Sequence, residues 1–369
     1  MNIAITGSDG FFGKNLRYSL INYKNINIFC INRKTSNKEF QKILLKSEII
    51  FHFAAVNRSK KKNDFLDSNI NFTKRICNFL EKNKKQPKII YTSTTQANKN
   101  NLYGISKKKS ELILRNFSKK NKSELFIFRL PNIFGKWSRP NYNSAVSTFC
   151  FNIARGKKIF ISKKKKIINL VYIDNVISKF LEIIKNKKYN KKKIYYEIKP
   201  IYKTNLQNLV NLIKDFKNNR SKFFIHSQSS SFIKNLYSTY VSFLPKNKII
   251  YNLKLNTDTR GIFFEFLKNN ESGQISIFTI NRNKTRGNHF HHSKVEKFLL
   301  LSGSVEFYMK DIASSNSIKI KLDEKKPKVI ESIPGWFHNI KNIGKKNAII
   351  LLWSNEVFND RKPDTFYYE

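Results

Sequence analysis

Apolar residues follow two different rhythms along this chain. In the first part, short apolar runs at Met1–Thr6, 26–31, 48–53, 87–92 and 125–130 alternate with stretches of helical period such as Lys14–Tyr23, Asn69–Asn83 and Ser106–Lys119. Strands alternating with helices predict a parallel sheet wound on both faces. Residues 199–244 read as helical and polar and would close this domain, and Pro245-Lys-Asn-Lys248 reads as a linker. From Ile249 the helical period disappears. Short runs at 278–281, 296–301, 305–310, 318–321 and 348–353 predict an all-β barrel or sandwich. The expectation is an α/β domain over 1–244 and an all-β domain over 245–369, a natural division for 369 residues, with no internal repeat.

Composition adds limits. A hydrophobic content of 40% supplies ordinary cores. No apolar run reaches the length of a bilayer span, and the N-terminus reads directly as a strand, so neither membrane insertion nor a targeting segment is expected. Cys30, Cys77 and Cys150 are scattered and odd in number, which suits a reducing compartment and a cytoplasmic location. The formal charge of +46 would ordinarily suggest nucleic acid. Here the lysines are spread throughout, including 163–166 and 191–193, and accompany abundant Asn, Ile, Phe and Tyr, all with A/T-rich codons. This is a solvated surface of biased composition, and no nucleic-acid partner is expected.

The second domain carries a metal-ligand pattern. His289, His291 and Glu296 lie in G-N-H-x-H-x4-E-x6-G from Gly287 to Gly303, and His338 lies in P-G-x2-H-x3-N ending at Asn342. His289 and His291, two apart, share one face of a strand. Three imidazoles and a carboxylate suit zinc, iron, nickel or manganese, in a structural role or as a Lewis acid. His292, Lys294 and Tyr308 are nearby ionisable candidates for proton abstraction. This double motif resembles that of the cupin barrel. Asp258-Thr-Arg260-Gly261-x-Phe263-x-Glu265 resembles the entry strand of cupin-type sugar-nucleotide epimerases.

The first domain opens on Gly7-x2-Gly10-Phe11-Phe12-Gly13 between a strand and a helix. Such glycines permit a tight turn and close approach of a diphosphate to the helix N-terminus. The G-x2-G-x2-G spacing resembles that of the extended short-chain dehydrogenase/reductases, a Rossmann-type fold. Tyr103-Gly-Ile-Ser-Lys107 is similar to their second motif. Tyr103 and Lys107 share one helix face, and the lysine's charge favours the phenolate, lowering the Tyr103 pKa towards the working range. The resemblance makes Thr94 the hydroxyl that binds the substrate oxygen and Asn69 a structural, cofactor-side residue. It also places Arg129 and Asn132, in R-x2-N-x-F-G, against a nucleotide sugar. Leu170–Asp174 resembles the segment usually written V-H-V-D-D. At the end of the second strand, Asn32-Arg33-Lys34 offers no acid for ribose hydroxyls, whereas Arg33 suits a 2′-phosphate, so the expected cofactor is NADPH. Thr95-Gln96-Ala97 lacks the Asp-Glu pair of the family's dehydratases, so the reading is a reductase.

The join of these two halves closely resembles the bifunctional capsular-polysaccharide enzymes of the CapF type. Further matching residues are Asn132-x-Phe-Gly-Lys-Trp137, Pro140–Ser144, Leu236–Tyr240 and Pro363-Asp-Thr365. The resemblance implies that the cupin half epimerises C3 of a UDP-2-acetamido-2,6-dideoxy-4-hexulose. The reductase half then reduces the C4 ketone with NADPH to give UDP-2-acetamido-2,6-dideoxy-L-talose. It implies one divalent metal, zinc foremost, a UDP-linked amino sugar as substrate, and a homodimer. An alternative keeps the reductase active on a related 4-keto sugar, with the cupin as a non-catalytic module.

Overall fold

The computed structural model describes residues 1–59, 61–142, 144–161, 165–185, 193–226 and 229–367. The lysine runs 163–166 and 191–193 fall partly outside them, as does Asn143 of the segment 140–144. The chain divides into two compact units, Met1–Lys214 with Lys234–Pro245, and Asp215–Ile233 with Lys246–Glu369.

The first unit is built on strands β1 (Asn2–Thr6), β2 (Asn27–Ile31), β3 (Ile49–His52), β4 (Lys88–Thr94) and β5 (Leu125–Leu130). Between them lie helices α1 (Phe11–Ser19), α2 (Asn37–Lys46), α3 (Lys62–Phe65), α4 (Phe72–Lys82) and α5 (Leu102–Asn121). Beyond β5 come β6 (Asn132–Phe134), α6 (Ala145–Ala154), β7 (Ile167–Tyr172), α7 (Ile173–Ile184), β8 (Tyr195–Tyr196) and β9 (Tyr202–Asn205), then α8 (Leu206–Arg220) and α9 (Ser231–Ser242). The main sheet runs β2-β1-β3-β4-β5-β8, parallel throughout. Its strands are continuous apolar runs because both faces are covered. On one face Ala4, Ile50, Ile89 and Ile127 pack with Phe40 and Leu44 of α2, Leu80 of α4 and Leu114 of α5. On the other, the Phe180 ring of α7 meets Phe51, Phe53 and Phe128. The chain leaves β1 towards β2 on one side and resumes at β3 on the other, so the carboxyl ends of β1 and β3 bound the crevice where open α/β sheets take ligands.

Two expectations change here. The stretch from 69 is not one α-helix: Leu66–Asn71 is a π-helical turn that places Asn69 at its bulge, a feature common at functional sites. The segment 199–244 is not wholly helical, since β9 completes a small sheet, β6-β7-β9. β9, Tyr-Lys-Thr-Asn, is short and polar, so it shows no apolar run in the sequence.

The second unit contains β10 (Asn256–Asp258), β11 (Gly261–Asn269), β12 (Gly273–Ile280), β13 (Thr285–Phe290), β14 (Glu296–Ser302), β15 (Ser304–Asp311), β16 (Ser317–Asp323), β17 (Val329–Glu331), β18 (Trp336–Asn342), β19 (Ala348–Ser354) and β20 (Phe366–Tyr367). They form two antiparallel sheets, β10-β11-β12-β19-β14-β17 and β16-β15-β18-β13-β20, in a cupin-like arrangement. Inward residues alternate along each strand, as at Val305, Phe307 and Met309 of β15 and Ala348, Ile350 and Leu352 of β19. Segment 215–233 joins this unit through a backbone bond from Ile225 N to Lys268 O at 2.9 Å.

Candidate functional site

In the first unit β1 runs into the glycine turn. Gly7 has φ +68°, and a Cβ there would stand 2.9 Å from Ala54 N; one on Gly13 would stand 2.4 Å from Gly7 O. Both contacts forbid a side chain, and they bring α1 close against the turn. The first turn of α1 holds Phe11, Phe12 and Gly13, with no acidic residue, and its Gly10 N-cap offers no side-chain bond. Its N–H groups are therefore available to an anion. Ser8 Oγ, buried beside them, has no hydrogen-bond partner among the described residues. A glycine cradle with free donors and an orphaned hydroxyl fits a dinucleotide diphosphate.

At the end of β2, Arg33 is exposed and Asn32 half-buried. Asn32 Nδ2 donates to Asp9 Oδ2 at 2.9 Å, and Asp9 Oδ1 lies 3.2 Å from Arg17. The glycine turn thus brings an acid to the strand end that strand order alone does not reveal.

Asn69 binds the backbone of Val56 with both ends of its amide, at 2.8 and 2.9 Å, and also donates to Ser106 at 2.8 Å. It therefore ties the segment after β3 to α5. Thr94 ends β4 and is buried. Asn101 caps α5 by accepting from Gly104 N at 2.8 Å. A Cβ on Gly104 would lie 2.1 Å from Gln96 O, so only glycine lets the Tyr103 turn sit against the turn that follows Thr94.

The Tyr103 phenol is pushed up to about 12 by burial and then by Tyr142. This reverses the expected lowering by Lys107, because burial dominates at this position. A proton donor gains from it, since the phenol stays protonated near neutrality. Lys107 is only 2% exposed, with Nζ 4.0 Å from the centre of the Tyr91 ring. Burial pushes its ammonium down to about 7, against an opposing pull from Glu111.

Glu111, one turn beyond Lys107, is the hub of a network that sequence reasoning missed. It accepts from Ser93 Oγ at 2.5 Å, from Arg129 Nε and NH2 at 3.0 and 2.6 Å, and from Tyr195 OH at 3.1 Å. Arg129, expected against the sugar, spends these donors holding α5 to β4 and β5. Asn132 is exposed and donates to Asn169 O at 3.3 Å.

In the second unit His289 of β13 stands opposite His338 of β18, just after a bulge at Gly287. His291 follows β13, and Glu296 opens β14 in the facing sheet. The candidate ligand atoms of all four lie within 4.8 Å of one another. Glu296 Oε2 is 3.3 Å from His291 Nε2 and 3.5 Å from His338 Nε2. Tetrahedral sites with bonds of about 2.1 Å have ligand edges of about 3.4 Å. His291 Nδ1 meets the Asp364 carbonyl at 2.5 Å, so it carries the hydrogen and leaves Nε2 as a lone pair. That Nε2 is buried without a hydrogen-bond partner among the described residues. This donor set fits a divalent cation. Burial, then His338 and His291, push the His289 imidazolium down to about 3. Burial by itself would raise the Glu296 carboxyl, but His291, His338 and Lys294 outweigh it and hold it well below the usual carboxylate range.

The cluster opens on a cavity of about 300 Å³ that Lys294, Arg260, Arg286, Phe263 and Tyr367 also line. Lys294 is buried, with Nζ 3.8 Å from Glu296 Oε1. His292 is exposed and packs edge-on against Phe366 outside this lining. Tyr308 lies outside it too, edge-on to Phe337.

Residues 3–198 match the NAD dependent epimerase/dehydratase family, and residues 256–366 the polysaccharide biosynthesis C-terminal domain. A UDP-2-acetamido-2,6-beta-L-arabino-hexul-4-ose reductase from Pseudomonas aeruginosa is 38% identical over 99% of this chain and 98% of its own. The crystal structure of the capsular polysaccharide assembling protein CapF from Staphylococcus aureus matches all of both chains at 35% identity with a TM-score of 0.93. UDP-glucuronic acid 4-epimerase from Bacillus cereus, at 17% identity and a TM-score of 0.57 over 66% of this chain and 96% of its own, shares the fold of the first unit. The chain belongs to the NAD dependent epimerase/dehydratase family, in the two-part form of CapF that carries a polysaccharide biosynthesis C-terminal domain.

Proposed function

We propose that this chain is a bifunctional nucleotide-sugar enzyme. Residues 245–369 epimerise C3 of a UDP-2-acetamido-2,6-dideoxy-4-hexulose. Residues 1–244 then reduce the C4 ketone with NADPH, giving UDP-2-acetamido-2,6-dideoxy-L-talose. The observation that carries the reading is the presence of two complete side-chain sets in separate units: Thr94, Tyr103 and Lys107 in one, and His289, His291, Glu296 and His338 in the other, where all but His291 line a cavity. The name of the Pseudomonas relative, a reductase of a UDP-linked 4-keto sugar, supports the choice of substrate.

In the first unit the turn Gly7–Gly13 and the start of α1 would hold the dinucleotide diphosphate, and Arg33 the 2′-phosphate. When bound, the dinucleotide supplies the hydride for C4. Tyr103 delivers its phenolic proton to the C4 oxygen, and burial keeps that proton in place until the oxygen gains charge. The Thr94 hydroxyl donates a hydrogen bond to the same oxygen, and Lys107 adds positive charge to the site while its ammonium is protonated, at or below about pH 7.

In the second unit His289, His291, Glu296 and His338 would hold one divalent cation, zinc in our reading. When bound, that cation supplies positive charge for the oxygen of an enolate. A proton on C3 is acidified by the C4 ketone, so one proton-transfer group and one oxyanion stabiliser suffice. We place Lys294 at the proton transfer because it lines the cavity, whereas His292 stands outside. The same reading places the enzyme in the cytoplasm as a homodimer.

The test is NADPH oxidation with the UDP-linked 4-keto sugar, followed by NMR of the product. NADPH consumption yielding the L-talo sugar supports the proposal. A product with unchanged C3 configuration would leave a reductase alone.

A further inference from the structure

One short segment near the C-terminus touches His289, His291 and Lys294 of the second unit. The loop 291–295 joins β13 to β14, carries His291 and leads into Glu296. Three consecutive amides of this loop, from His292, Ser293 and Lys294, donate to the Asp364 carboxylate at 2.9, 2.7 and 2.7 Å. Ser293 Oγ adds a fourth bond at 2.9 Å. Successive N–H groups that converge in this way make an anion-binding nest, here filled by the chain's own carboxylate. The same residue's carbonyl receives His291 Nδ1–H at 2.5 Å and so sets the tautomer that frees Nε2. Its neighbour Thr365 receives Lys294 Nζ at 3.1 Å on its hydroxyl. Just beyond, β20 pairs with β13 at His289–Tyr367 and Phe290–Phe366.

We infer that Asp364 is a positioning residue of the metal site and that the Asp364–Tyr367 segment is the part that brings its ligands into register. The inference rests on the reading that His289, His291, Glu296 and His338 hold a divalent cation. The ends of the loop are held by Gly335 N–H to the His291 carbonyl at 2.7 Å and by Asn355 N–H to the Val295 carbonyl at 3.1 Å, but the three amides between them donate to this carboxylate, and without it they would turn to water. His291 and Glu296, at either end, would then lose their common aim. An Asn in place of Asp364 keeps the size but offers one acceptor oxygen, and its NH2 group would face the donors that the second oxygen now serves. Charge-assisted bonds are about twice as strong as neutral ones, so the loss is not made good by shape. Thr365 acts on a different group: it aims the Lys294 ammonium, which is not a ligand. The two residues should therefore separate, one governing metal affinity and the other proton transfer.

The experiment uses the full chain, stripped of metal and titrated with zinc against a chromophoric chelator, and then with cobalt(II) to read coordination geometry in the visible spectrum. Wild type, Asp364→Asn, the smaller Asp364→Ser and Thr365→Val are compared. Calorimetry identifies the variants in which the second unit still melts cooperatively, and the reading is taken from those. Partners of metal-ligating histidines are typically worth 10- to 100-fold in affinity. The expected result is a zinc affinity lowered about 10- to 100-fold, with altered cobalt bands, in the Asp364 variants. Thr365→Val keeps both and loses exchange of the C3 proton. An Asp364 variant with wild-type zinc affinity and wild-type cobalt spectrum overturns the inference. If wild type itself takes up neither ion, the metal reading of the second unit fails first, and the inference falls with it.

Discussion

Glu111→Gln is the substitution whose effect follows most directly from the structure. The Glu111 side chain is 2% exposed and receives Arg129 through two nitrogens, with Ser93 and Tyr195 completing its shell. Glutamine keeps the length but presents an NH2 group where one carboxylate oxygen now accepts from Arg129 and Tyr195. Breaking a buried ion pair from one side costs about 3–5 kcal/mol. Arg129 keeps 30% side-chain exposure, so water recovers part of its hydration, and the expected loss is about 2–3 kcal/mol. In a unit of this size that lowers the melting temperature by about 5–10 °C. Calorimetry reads the value from the transition of the first unit alone. Activity should fall as well, because Glu111 anchors α5, which carries Tyr103 and Lys107, to the strand that ends in Thr94. We expect kcat/KM for ketone reduction to drop about tenfold or more, equivalent to about 1.4 kcal/mol of lost transition-state stabilisation. The alkaline limb of the pH profile should also move to lower pH, since Glu111 opposes the depression of the Lys107 ammonium. A variant within about 0.5 kcal/mol of wild type with an unmoved pH profile would refute the view that this carboxylate holds α5 in place.

Tyr103→Phe should abolish ketone reduction while NADPH binding, followed by fluorescence, survives; substantial turnover would remove Tyr103 from the proton-donor role. Arg33→Ala should erase a preference for NADPH over NADH in kcat/KM, whereas equal efficiency of the two cofactors in wild type would contradict the role given to Arg33. Lys107 should make the first unit more stable as pH rises from about 7 towards 10. Its folded ammonium titrates near 7 and its unfolded one near the ordinary lysine value, so the unfolded chain binds the extra proton in that window. Urea titrations of Lys107→Met across the same range should show a smaller rise, and an equal rise in both proteins would deny the buried lysine this part.

Much of both sites is legible in the sequence because the chemistry follows local spacing. Gly7, Gly10 and Gly13 mark a turn by their positions alone, and Tyr103 and Lys107 share a helix face by period. His289 and His291 share a strand face for the same kind of reason. What sequence reading misses is set by tertiary approach. Asp364 acts on the loop after His291 from a separation of 70 to 73 residues, and no local pattern connects them. Glu111 and Arg129 meet because α5 packs against the neighbouring strands β4 and β5, a contact that the R-x2-N-x-F-G motif does not show. Asp9 reaches the end of β2 only because β1 and β2 are adjacent in the sheet. The Tyr103 phenol follows the same rule: a neighbouring lysine is visible in the sequence, but burial is not, and burial dominates.

The central claim is that epimerisation and reduction occur at separate sites, and solvent deuterium at C3 of the UDP-linked 4-keto sugar tests it most directly. In deuterium oxide, Lys107→Ala should still incorporate deuterium at C3 without net NADPH consumption. His291→Ala should incorporate none, yet still consume NADPH on a substrate that already has the product's C3 configuration. Exchange that persists in the His291 variant and stops in the Lys107 variant would place epimerisation in the first unit and contradict the account.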